Sequence, residues 1–292
     1  MRIQWFPGHM AKSLRLIEEG AGLVDVIIYV LDARIPSSCL NPALDGIIGS
    51  KPVLYILNKT DLADDGGNSL WAKALKGKGG CIKLNAKITG SAKFIAAEVK
   101  RLAAAKTAKY AGKGLNYTVK AMIVGVPNCG KSTIMNNMAG GAKAKVGNKP
   151  GVTRGKQWLK IADNFEIMDT PGVLWGKIDD QSSALRLAFC GCVKDEVTDT
   201  AALSKALIEE LIGLGCADML IKRYKLDESL LKAGNAEAVF NKIALKRGCI
   251  MSGGVIDYER AAALILDEFR SGAMGKITFE SPVEETGGGE SI

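Results

Sequence analysis

Short apolar runs alternate with amphipathic stretches over the first 175 residues of this 292-residue chain. Apolar runs bounded by turn residues are typical of buried strands, whereas a period of about 3.6 residues indicates helices. The runs lie at residues 24–31, 52–57, 81–84, 117–124, 157–161 and 165–168, and helical patterns lie at 91–105, at 132–138 and from Ala11 onwards. This alternation predicts a mostly parallel sheet with helices on both faces, which places a ligand at the carboxyl ends of the strands.

The pattern becomes helical after about Gly176, where apolar residues recur at the spacing of one helix face. Three such stripes contain Leu203, Leu207, Leu211 and Leu214, then Ala236, Val239, Phe240 and Ile243, then Ala261, Leu264, Ile265 and Phe269. Asp257 and Gly272 stand where an N-cap and a C-cap would bound the third stripe. We predict an N-terminal arm over residues 1–20, an α/β domain over 21–175, a smaller all-α domain over 176–280 and a flexible tail over 281–292.

Composition excludes several classes of protein. No apolar stretch approaches the roughly 20 residues of a membrane helix, and the N-terminus has neither a signal-peptide pattern nor a transit leader. The seven cysteines include no C-x-x-C pair, so neither a disulfide framework nor a zinc site is expected. Cys190 and Cys192 are expected to be buried rather than redox-active. These features predict a monomeric cytoplasmic protein with no membrane partner.

The strongest chemical signal is Gly125-Val126-Pro127-Asn128-Cys129-Gly130-Lys131-Ser132, between a predicted strand and a predicted helix. In such a P-loop the backbone N–H groups point at phosphate oxygens, Lys131 reaches the β- and γ-phosphates, and the Ser132 hydroxyl can ligate Mg²⁺. The positive end of the following helix adds to this attraction. The predicted phosphate-binding residues are Pro127, Asn128, Cys129, Gly130, Lys131, Ser132 and Thr133.

A second motif, Asn58-Lys59-Thr60-Asp61, follows an earlier apolar run and predicts guanine recognition. The Asp61 carboxylate offers two acceptors that match the adjacent N1–H and 2-amino donors of guanine, and adenine lacks that pair. Asn58 can bond the base edge, and the aliphatic stem of Lys59 can cover the ring. Asn85-Ala86-Lys87, which follows the next apolar run, is predicted to supply a backbone contact to the base.

A third motif, Asp169-Thr170-Pro171-Gly172, ends another apolar run and predicts a sensor of the γ-phosphate. Asp169 would hold the hydration shell of Mg²⁺ through water, and the Gly172 N–H could meet the γ-phosphate. Asp64-Asp65-Gly66-Gly67 fits the same short pattern, but it is discarded because it lies in a polar stretch directly after the base-reading motif. Between the P-loop and Asp169, Thr153 is predicted to offer a hydroxyl to the metal.

The base-reading motif precedes the P-loop, which inverts the order found in ordinary GTPases. This circular permutation joins the γ-phosphate sensor directly to the helical part of the chain. With three further segments, the permuted motifs resemble the bacterial circularly permuted ribosome-assembly GTPases of the YlqF/RbgA type. The segments are Gln4-Trp5-Phe6-Pro7-Gly8-His9-Met10, Asp32-Ala33-Arg34-Ile35-Pro36 and Lys246-Arg247-Gly248-Cys249.

The resemblance runs from Arg2 to about Phe279 and implies both a fold and a function. The implied fold is a circularly permuted P-loop GTPase domain followed by an RNA-contacting helical domain. The implied function is hydrolysis of GTP to GDP, coupled to late maturation of the large ribosomal subunit. Its cofactors would be GTP/GDP and Mg²⁺, and its partners the large ribosomal subunit precursor and its rRNA.

Three other functions remain open at this point. An ATP-using P-loop enzyme is disfavoured by the guanine-selective Asp61. An RNA-binding factor that holds GTP or GDP with little turnover would keep every motif. A GTPase acting on the small subunit is also conceivable, although the chain has a single histidine and no zinc-ligand spacing that would mark the extra module of such proteins.

Charge is unevenly distributed along the chain. Residues 1–175 carry 25 Lys and Arg against 12 Asp and Glu, whereas residues 176–292 carry 14 against 19. The excess is concentrated in a basic stretch (residues 100–120) and again between Lys143 and Lys156, both of which are expected to flank the P-loop and the switch. Such a field attracts nucleic acid and predicts an RNA-facing surface, although a merely solubilising role is the alternative.

The sequence lacks the usual water-orienting residue of a GTPase. Many GTPases place a glutamine after the third motif to orient water, but here that residue is Val173. His9 is the only histidine, and a neutral imidazole can orient water near pH 7. The resemblance implies the same role, and the alternative is an exposed residue beside a helix. Lys131 and Gly172 complete the catalytic set, and Asn128 is a candidate K⁺ ligand or else bonds local backbone.

Overall fold

The computed structural model of the protein describes residues 7–91, 93–139, 157–174 and 180–282, with the backbone alone at residues 7–9, 93, 157 and 197. Its strands are β1 (Val26–Asp32), β2 (Val53–Asn58), β3 (Gly80–Lys83), β4 (Val119–Val124), β5 (Gln157–Ala162) and β6 (Phe165–Asp169). Its helices are α1 (Pro7–Ala21), α2 (Pro36–Cys39), α3 (Pro42–Ile48), α4 (Asp65–Lys78), α5 (Lys93–Leu102), α6 (Ala104–Ala111), α7 (Lys131–Met138), α8 (Gln181–Phe189), α9 (Thr200–Gly213), α10 (Ala217–Tyr224), α11 (Glu228–Lys232), α12 (Ala236–Lys246) and α13 (Tyr258–Ser271).

The strands form one six-stranded sheet in the order β3-β2-β1-β4-β6-β5. Neighbouring strands are parallel except for β5 and β6, which pair antiparallel. The interior strand β1 is buried along its whole length, as expected of a parallel strand covered on both faces. The six strands coincide with the predicted apolar runs, and the predicted α/β class is confirmed.

Two helices differ from the predicted boundaries. Helix α1 begins at Pro7 and not at Ala11, because a proline at the first helical position has no N–H to satisfy and its fixed φ suits the helix. The single helix predicted over residues 91–105 is two helices, α5 and α6, which are interrupted at Ala103 where φ is −90° and ψ is 3°. No residue of α6 is buried, so this helix lies on the surface.

Helix α1 covers one face of the sheet. Ile17 is completely buried, and a side chain added at Gly20 would lie 3.0 Å from Met168 and 3.1 Å from Met122. Because only residues 22–25 separate α1 from β1, the helix must run antiparallel to that strand. Its first turn therefore points towards the edge at which the strands have their carboxyl ends, which we call the carboxyl edge.

The three predicted stripes of the helical region form the cores of α9, α12 and α13. Their apolar residues are buried except for Leu214, which is 44% exposed because it lies just beyond the end of α9, and for Ala236 and Leu264, which are half-buried. The Asp257 side chain accepts the Arg260 N–H at the start of α13. Gly272 ends α13 with φ of 82°, the left-handed conformation that favours glycine.

After α13 the chain crosses back to the sheet as a return segment (residues 276–282). Its backbone bonds two loops of the α/β part: Ile277 N–H donates to Leu62 O at 3.0 Å, and Phe279 N–H donates to Arg34 O at 2.8 Å. The Trp71 indole donates to the carbonyl of Glu280 at 2.8 Å. The helical region is thus tied to the sheet at both of its ends, and residues 281–282 of the predicted tail are described without helix or strand.

Candidate functional site

All three nucleotide motifs meet at the carboxyl edge. Asp32 and Asn58 are paired across β1 and β2, and Ile123 and Asp169 are paired across β4 and β6. The P-loop follows β4 directly, and Asn85 follows β3. This is the edge at which an α/β sheet binds ligands, so the fold brings together motifs that lie far apart in the sequence.

The P-loop is built from backbone conformations that few residues tolerate. Gly130 has φ of 105°, and a side chain added there would collide with the Asn58 amide. Asn128 lies at φ of 57°, a region that asparagine enters more readily than most residues. The Lys131 ammonium donates to Gly125 O at 3.0 Å and to Val126 O at 2.7 Å. The lysine is therefore folded over the loop, within reach of phosphate oxygens.

The third motif is fastened to the P-loop and to β4. Val173 N–H donates to Gly125 O at 3.2 Å, and the Thr170 hydroxyl donates to Ile123 O at 2.6 Å. A side chain added at Gly172 would lie 2.7 Å from Pro127 Cα. Only glycine permits this approach, so the Gly172 backbone lies against the loop that would hold phosphates.

Asn58 joins the base-reading motif to the phosphate-binding loop. Its side-chain nitrogen donates to Cys129 O at 2.7 Å, and its side-chain oxygen accepts the Ala86 N–H at 3.0 Å. Asn58 is buried and both polar atoms of its side chain make these bonds, so its contact with the base edge remains a prediction. The prediction that Ala86 contacts the base through its backbone is untested, because in this structure its N–H is occupied by Asn58.

A buried ion network lies beneath Lys59. The carboxylate of Asp32 accepts two hydrogen bonds from the Arg34 guanidinium, at 3.0 and 2.8 Å, and lies 2.9 Å from Lys59 Nζ. Burial alone would raise the pKa of Asp32, but the two adjacent cations hold that pKa below its ordinary value. Burial alone would lower the pKa of Lys59, and Asp32 raises it above the ordinary value.

The remaining base-reading residues lie at the rim of this edge. Asp61 is half-buried and Lys87 is exposed, so both side chains are accessible to a ligand. Asn85 bonds its own loop, since its side-chain oxygen accepts the Lys87 N–H at 3.0 Å. Thr60, between Lys59 and Asp61, donates through its hydroxyl to Leu84 O at 3.1 Å and holds the two loops together.

The donor set also fits a magnesium ion. Asp169 is 4% exposed at the end of β6, on the strand beside the one that leads into the P-loop. Ser132 is half-buried in the first turn of α7. A carboxylate and a hydroxyl are oxygen ligands of the kind that Mg²⁺ prefers. Thr153, the third predicted ligand, lies outside the described residues.

Two other predicted residues have mixed outcomes. The Asn128 side chain donates to Gly191 O at 2.6 Å, in the turn after α8, so it bonds distant backbone where the sequence suggested local backbone. Its role towards K⁺ remains a prediction. His9 lies in the first turn of α1, which points towards the carboxyl edge, and its side chain is outside what the structure describes.

Two readings of short motifs can be checked directly. The discarded Asp64 is the N-cap of α4, where its carboxylate accepts the Gly67 N–H at 2.6 Å, which explains its D-x-x-G pattern without a nucleotide. Cys190 and Cys192 are buried, and burial raises the pKa of Cys190 to about 12. That thiol is therefore protonated near neutral pH, as expected of a packing residue.

Sequence reasoning missed the side-chain network and the return segment. Asp32 and Arg34 were recognised only as part of a resemblance, and no local pattern pairs them with Lys59.

None of the described helices is long and apolar enough to span a membrane. Among the described residues there is also no cluster of three His, Cys, Asp or Glu side chains placed to hold a metal.

The chain is similar to known proteins in sequence and in fold. A family described as 50S ribosome-binding GTPase matches residues 120–227. The chain is 43% identical to ribosome biogenesis GTPase A of Bacillus cereus, covering 97% of this chain and 95% of the relative. It is 32% identical to mitochondrial ribosome-associated GTPase 1 of Mus musculus, covering 96% and 90%. The crystal structure of GNP-bound YlqF from T. maritima matches with a TM-score of 0.62 at 26% identity, covering 93% and 99%. The chain therefore belongs to the ribosome biogenesis GTPase A family of GTPases.

Proposed function

We propose that the protein hydrolyses GTP to GDP and phosphate as a switch in assembly of the large ribosomal subunit. The observation that carries the nucleotide part is the Asn58 side chain, which bonds the P-loop at Cys129 and the loop of Ala86 at the same time. Because Asn58 holds the two loops together, one nucleotide can reach both, with its phosphates at the P-loop and its base beside Asp61. The family names supply the ribosomal part.

Each motif has a defined role in this proposal. Asp61 accepts the two guanine donors and Lys59 covers the ring, while Asn85, Ala86 and Lys87 form the wall beside the base. Backbone groups from Pro127 to Thr133 surround the phosphates, and Lys131 neutralises their charge. Ser132, Thr153 and, through water, Asp169 would hold Mg²⁺, which would offset the charge of the β- and γ-phosphates.

Hydrolysis requires an ordered water. That water attacks the γ-phosphorus, the bond from the γ-phosphorus to the β–γ bridging oxygen breaks, and GDP leaves with the bond electrons. One proton of the water stays on the phosphate product, and the other passes to a phosphate oxygen or to solvent. Val173 has no polar atom to orient the water and is buried. We assign this task to His9, because α1 directs its first turn towards the carboxyl edge.

Nucleotide state reaches the helical region through a short path. Gly172 lies against the P-loop, and the next two residues, Val173 and Leu174, are buried. Helix α8 begins at Gln181. Loss of the γ-phosphate would therefore change how the helical region packs on the sheet. Interdomain distance distributions with GDP and with a non-hydrolysable GTP analogue should differ, and identical distributions with and without the ribosomal partner would refute this coupling.

Ribosomal RNA is the proposed partner of the basic stretch, although its position differs from the prediction. Lys106 donates to Asp25 at 2.5 Å, just before β1, and Lys100 donates to Asn164 at 2.8 Å in the turn between β5 and β6. These contacts place the stretch at the edge where the parallel strands begin, which is opposite the carboxyl edge and the P-loop. Exposed Lys109 and Lys113 on and after the uncovered α6 would contact RNA phosphates there.

Co-sedimentation with isolated ribosomal subunits tests the ribosomal assignment. The protein should pellet with large-subunit particles, more strongly with a non-hydrolysable GTP analogue than with GDP, and not with small subunits. The double substitution Lys109→Glu and Lys113→Glu should weaken pelleting. It should also reduce the slope of the logarithm of the binding constant against the logarithm of salt concentration by about two, because two phosphate contacts are lost. Lys73→Glu, an exposed change on α4, is the matched control. Preferential pelleting with small subunits would overturn the assignment.

A further inference from the structure

Lys59 is held in an unusual conformation beside the proposed guanine site. Its φ is 60°, the left-handed region that a side chain with a Cβ adopts at a cost. Its ammonium reaches inward to Asp32, 2.9 Å away. Because both ends of the side chain are fixed, its aliphatic stem has little freedom in how it covers a base.

Asp32 is suited to hold a cation permanently. It is completely buried at the end of β1, and it accepts bonds from the Arg34 side chain and from the Arg34 backbone N–H at 3.1 Å. Three donors from one neighbour fix the plane of the carboxylate, and Oδ2 remains directed at Lys59. A buried carboxylate with two cations stays ionised across the physiological range.

Arg34 extends this network to the helical region. Its guanidinium carbon lies 5.3 Å from the centre of the Phe269 ring on α13, and its carbonyl accepts the Phe279 N–H of the return segment. Arg34 is 1% exposed, so these contacts are shielded from solvent. Contact with Phe269 therefore influences the same guanidinium that orients Asp32.

We propose that Asp32 and Arg34 are positioning residues for guanine recognition: Asp32 holds Lys59 over the base, and Arg34 makes that hold depend on Phe269 of the helical region. This deepens the proposed function, since it rests on the base-reading role of Lys59. The affinity for guanine is consequently coupled to docking of the helical region through the buried contacts from Lys59 to Asp32, Arg34 and Phe269. This coupling is separate from the one that runs from the γ-phosphate through Gly172.

A double-mutant cycle tests the first link through equilibrium binding of GDP in the absence of ribosomal subunits. Asp32→Asn should weaken GDP binding on the order of tenfold, and Lys59→Met should weaken it similarly. In the Lys59→Met background, Asp32→Asn should weaken GDP binding less than about twofold, because the Lys59 ammonium that Asp32 holds is already absent. Independent effects that multiply in the double variant would overturn the role of Asp32.

Binding of inorganic pyrophosphate separates positioning from structural damage, because it occupies only the phosphate end of the site. Asp32→Asn should weaken GDP binding and leave pyrophosphate binding unchanged. Equal weakening of GDP and pyrophosphate binding would identify a general loss of structure and contradict the proposal. Failure of the wild-type protein to prefer GDP over ADP would instead refute the guanine-reading role itself, so the two failures are distinguishable.

The second link is tested by a variant that does not touch the site. Phe269→Leu should weaken GDP binding about threefold, the size of a modest cation–π contact, and should add nothing in the Asp32→Asn background. Phe240→Leu is the matched control, because Phe240 is equally buried in the helical region but stacks on Tyr258 instead. Equal effects of the two leucine variants, or no effect of Phe269→Leu, would overturn the link.

Discussion

The two loops of the nucleotide site are held by different kinds of interaction. The P-loop is fastened by local backbone geometry and by carbonyls within six residues of Lys131. The base-reading loop is fastened by side chains and by a segment from the far end of the chain, through Asp32 and through Ile277, whose N–H donates to Leu62 O next to Asp61. Phosphate binding thus depends on local sequence, whereas base binding depends on tertiary docking.

The difference has a physical origin in what each loop recognises. Phosphates are bound by backbone N–H groups, which any strand–loop–helix unit can aim. A base is recognised by one carboxylate and one covering stem, and side chains need external support to stay in place. We therefore expect substitutions at the P-loop to act locally and strongly, and substitutions around the base loop to act through the helical region and more weakly.

The largest effect is expected at the point where the two loops meet. Gly130→Ala would force a side chain against Asn58 at a φ of 105°, which costs about 3 kcal/mol and should weaken GTP binding more than about a hundredfold. Isothermal titration measures this. Gly77→Ala on α4 is the control, because a side chain there meets nothing within 4 Å. Binding of GTP by Gly130→Ala within a fewfold of wild type would break the contrast between the loops.

The next effect concerns turnover at the phosphate end. His9→Ala should leave GTP affinity unchanged and lower partner-stimulated hydrolysis about a hundredfold, the lower range for loss of a proton-handling group. Single-turnover phosphate release in the presence of large-subunit particles is the measurement. Lys12→Ala, one turn further along α1 and exposed, is the control. Wild-type stimulated turnover in His9→Ala would transfer the role to a group supplied by the partner.

Base choice comes third. Asp61→Asn replaces two acceptors by one acceptor and one donor, so GTP binding should weaken about thirtyfold while xanthosine triphosphate gains. Competition titrations with GTP, ATP and xanthosine triphosphate give the order of preference. An unchanged order in Asp61→Asn, or equal affinity of the wild-type protein for ATP and GTP, would remove Asp61 from base reading.

A smaller effect is expected from the monovalent cation. If the Asn128 side chain turns its oxygen towards K⁺ when nucleotide binds, turnover should be severalfold faster in K⁺ than in Na⁺ at equal ionic strength. Asn128→Ala should then abolish the difference. In this structure that side chain bonds Gly191, so equal rates in both salts would assign Asn128 to the junction with the helical region alone.

The smallest effect is expected at the return segment. The Glu280 carboxylate accepts the Ser38 N–H at 3.1 Å, yet burial raises the pKa of Glu280 above its ordinary value. A raised pKa means that its protonated form favours folding, so this stability is present at acidic pH and declines as pH rises through the folded-state pKa. Glu280→Gln should lack the decline, which changes Tm by a few degrees at most. Parallel Tm curves against pH for both proteins would contradict this.

The phosphate end was predictable and the base support was not. Strand periodicity placed β4 and β6, and the residues from Gly125 to Ser132 carry their own geometry, so motif and structure agree. The family resemblance was confirmed by a relative that is 43% identical over 97% of the chain. The partnership of Asp32 with Lys59 depends on strand pairing, and that of Arg34 with Phe269 on the docking of α13, and neither leaves a periodic signal in the sequence.

The prediction of where the basic stretch lies relative to the sheet was also wrong. The basic stretch is close to the P-loop in sequence, but β4 lies between them and its two ends are on opposite edges. Proximity along the chain therefore indicated the wrong edge. The pairing of β1 with β4 would have corrected this, since it places Asp25 and the start of β4 together.

The return segment also determines when the site can be completed during synthesis. Ser38 and Glu280 are 242 residues apart, and a chain elongating at roughly 5 to 20 residues per second needs on the order of ten to fifty seconds to span them. The base-reading loop thus leaves the translating ribosome long before the return segment that holds it in place. A nascent chain would hold guanine poorly until the return segment emerges, so nucleotide capture would follow the synthesis of residues 276–282.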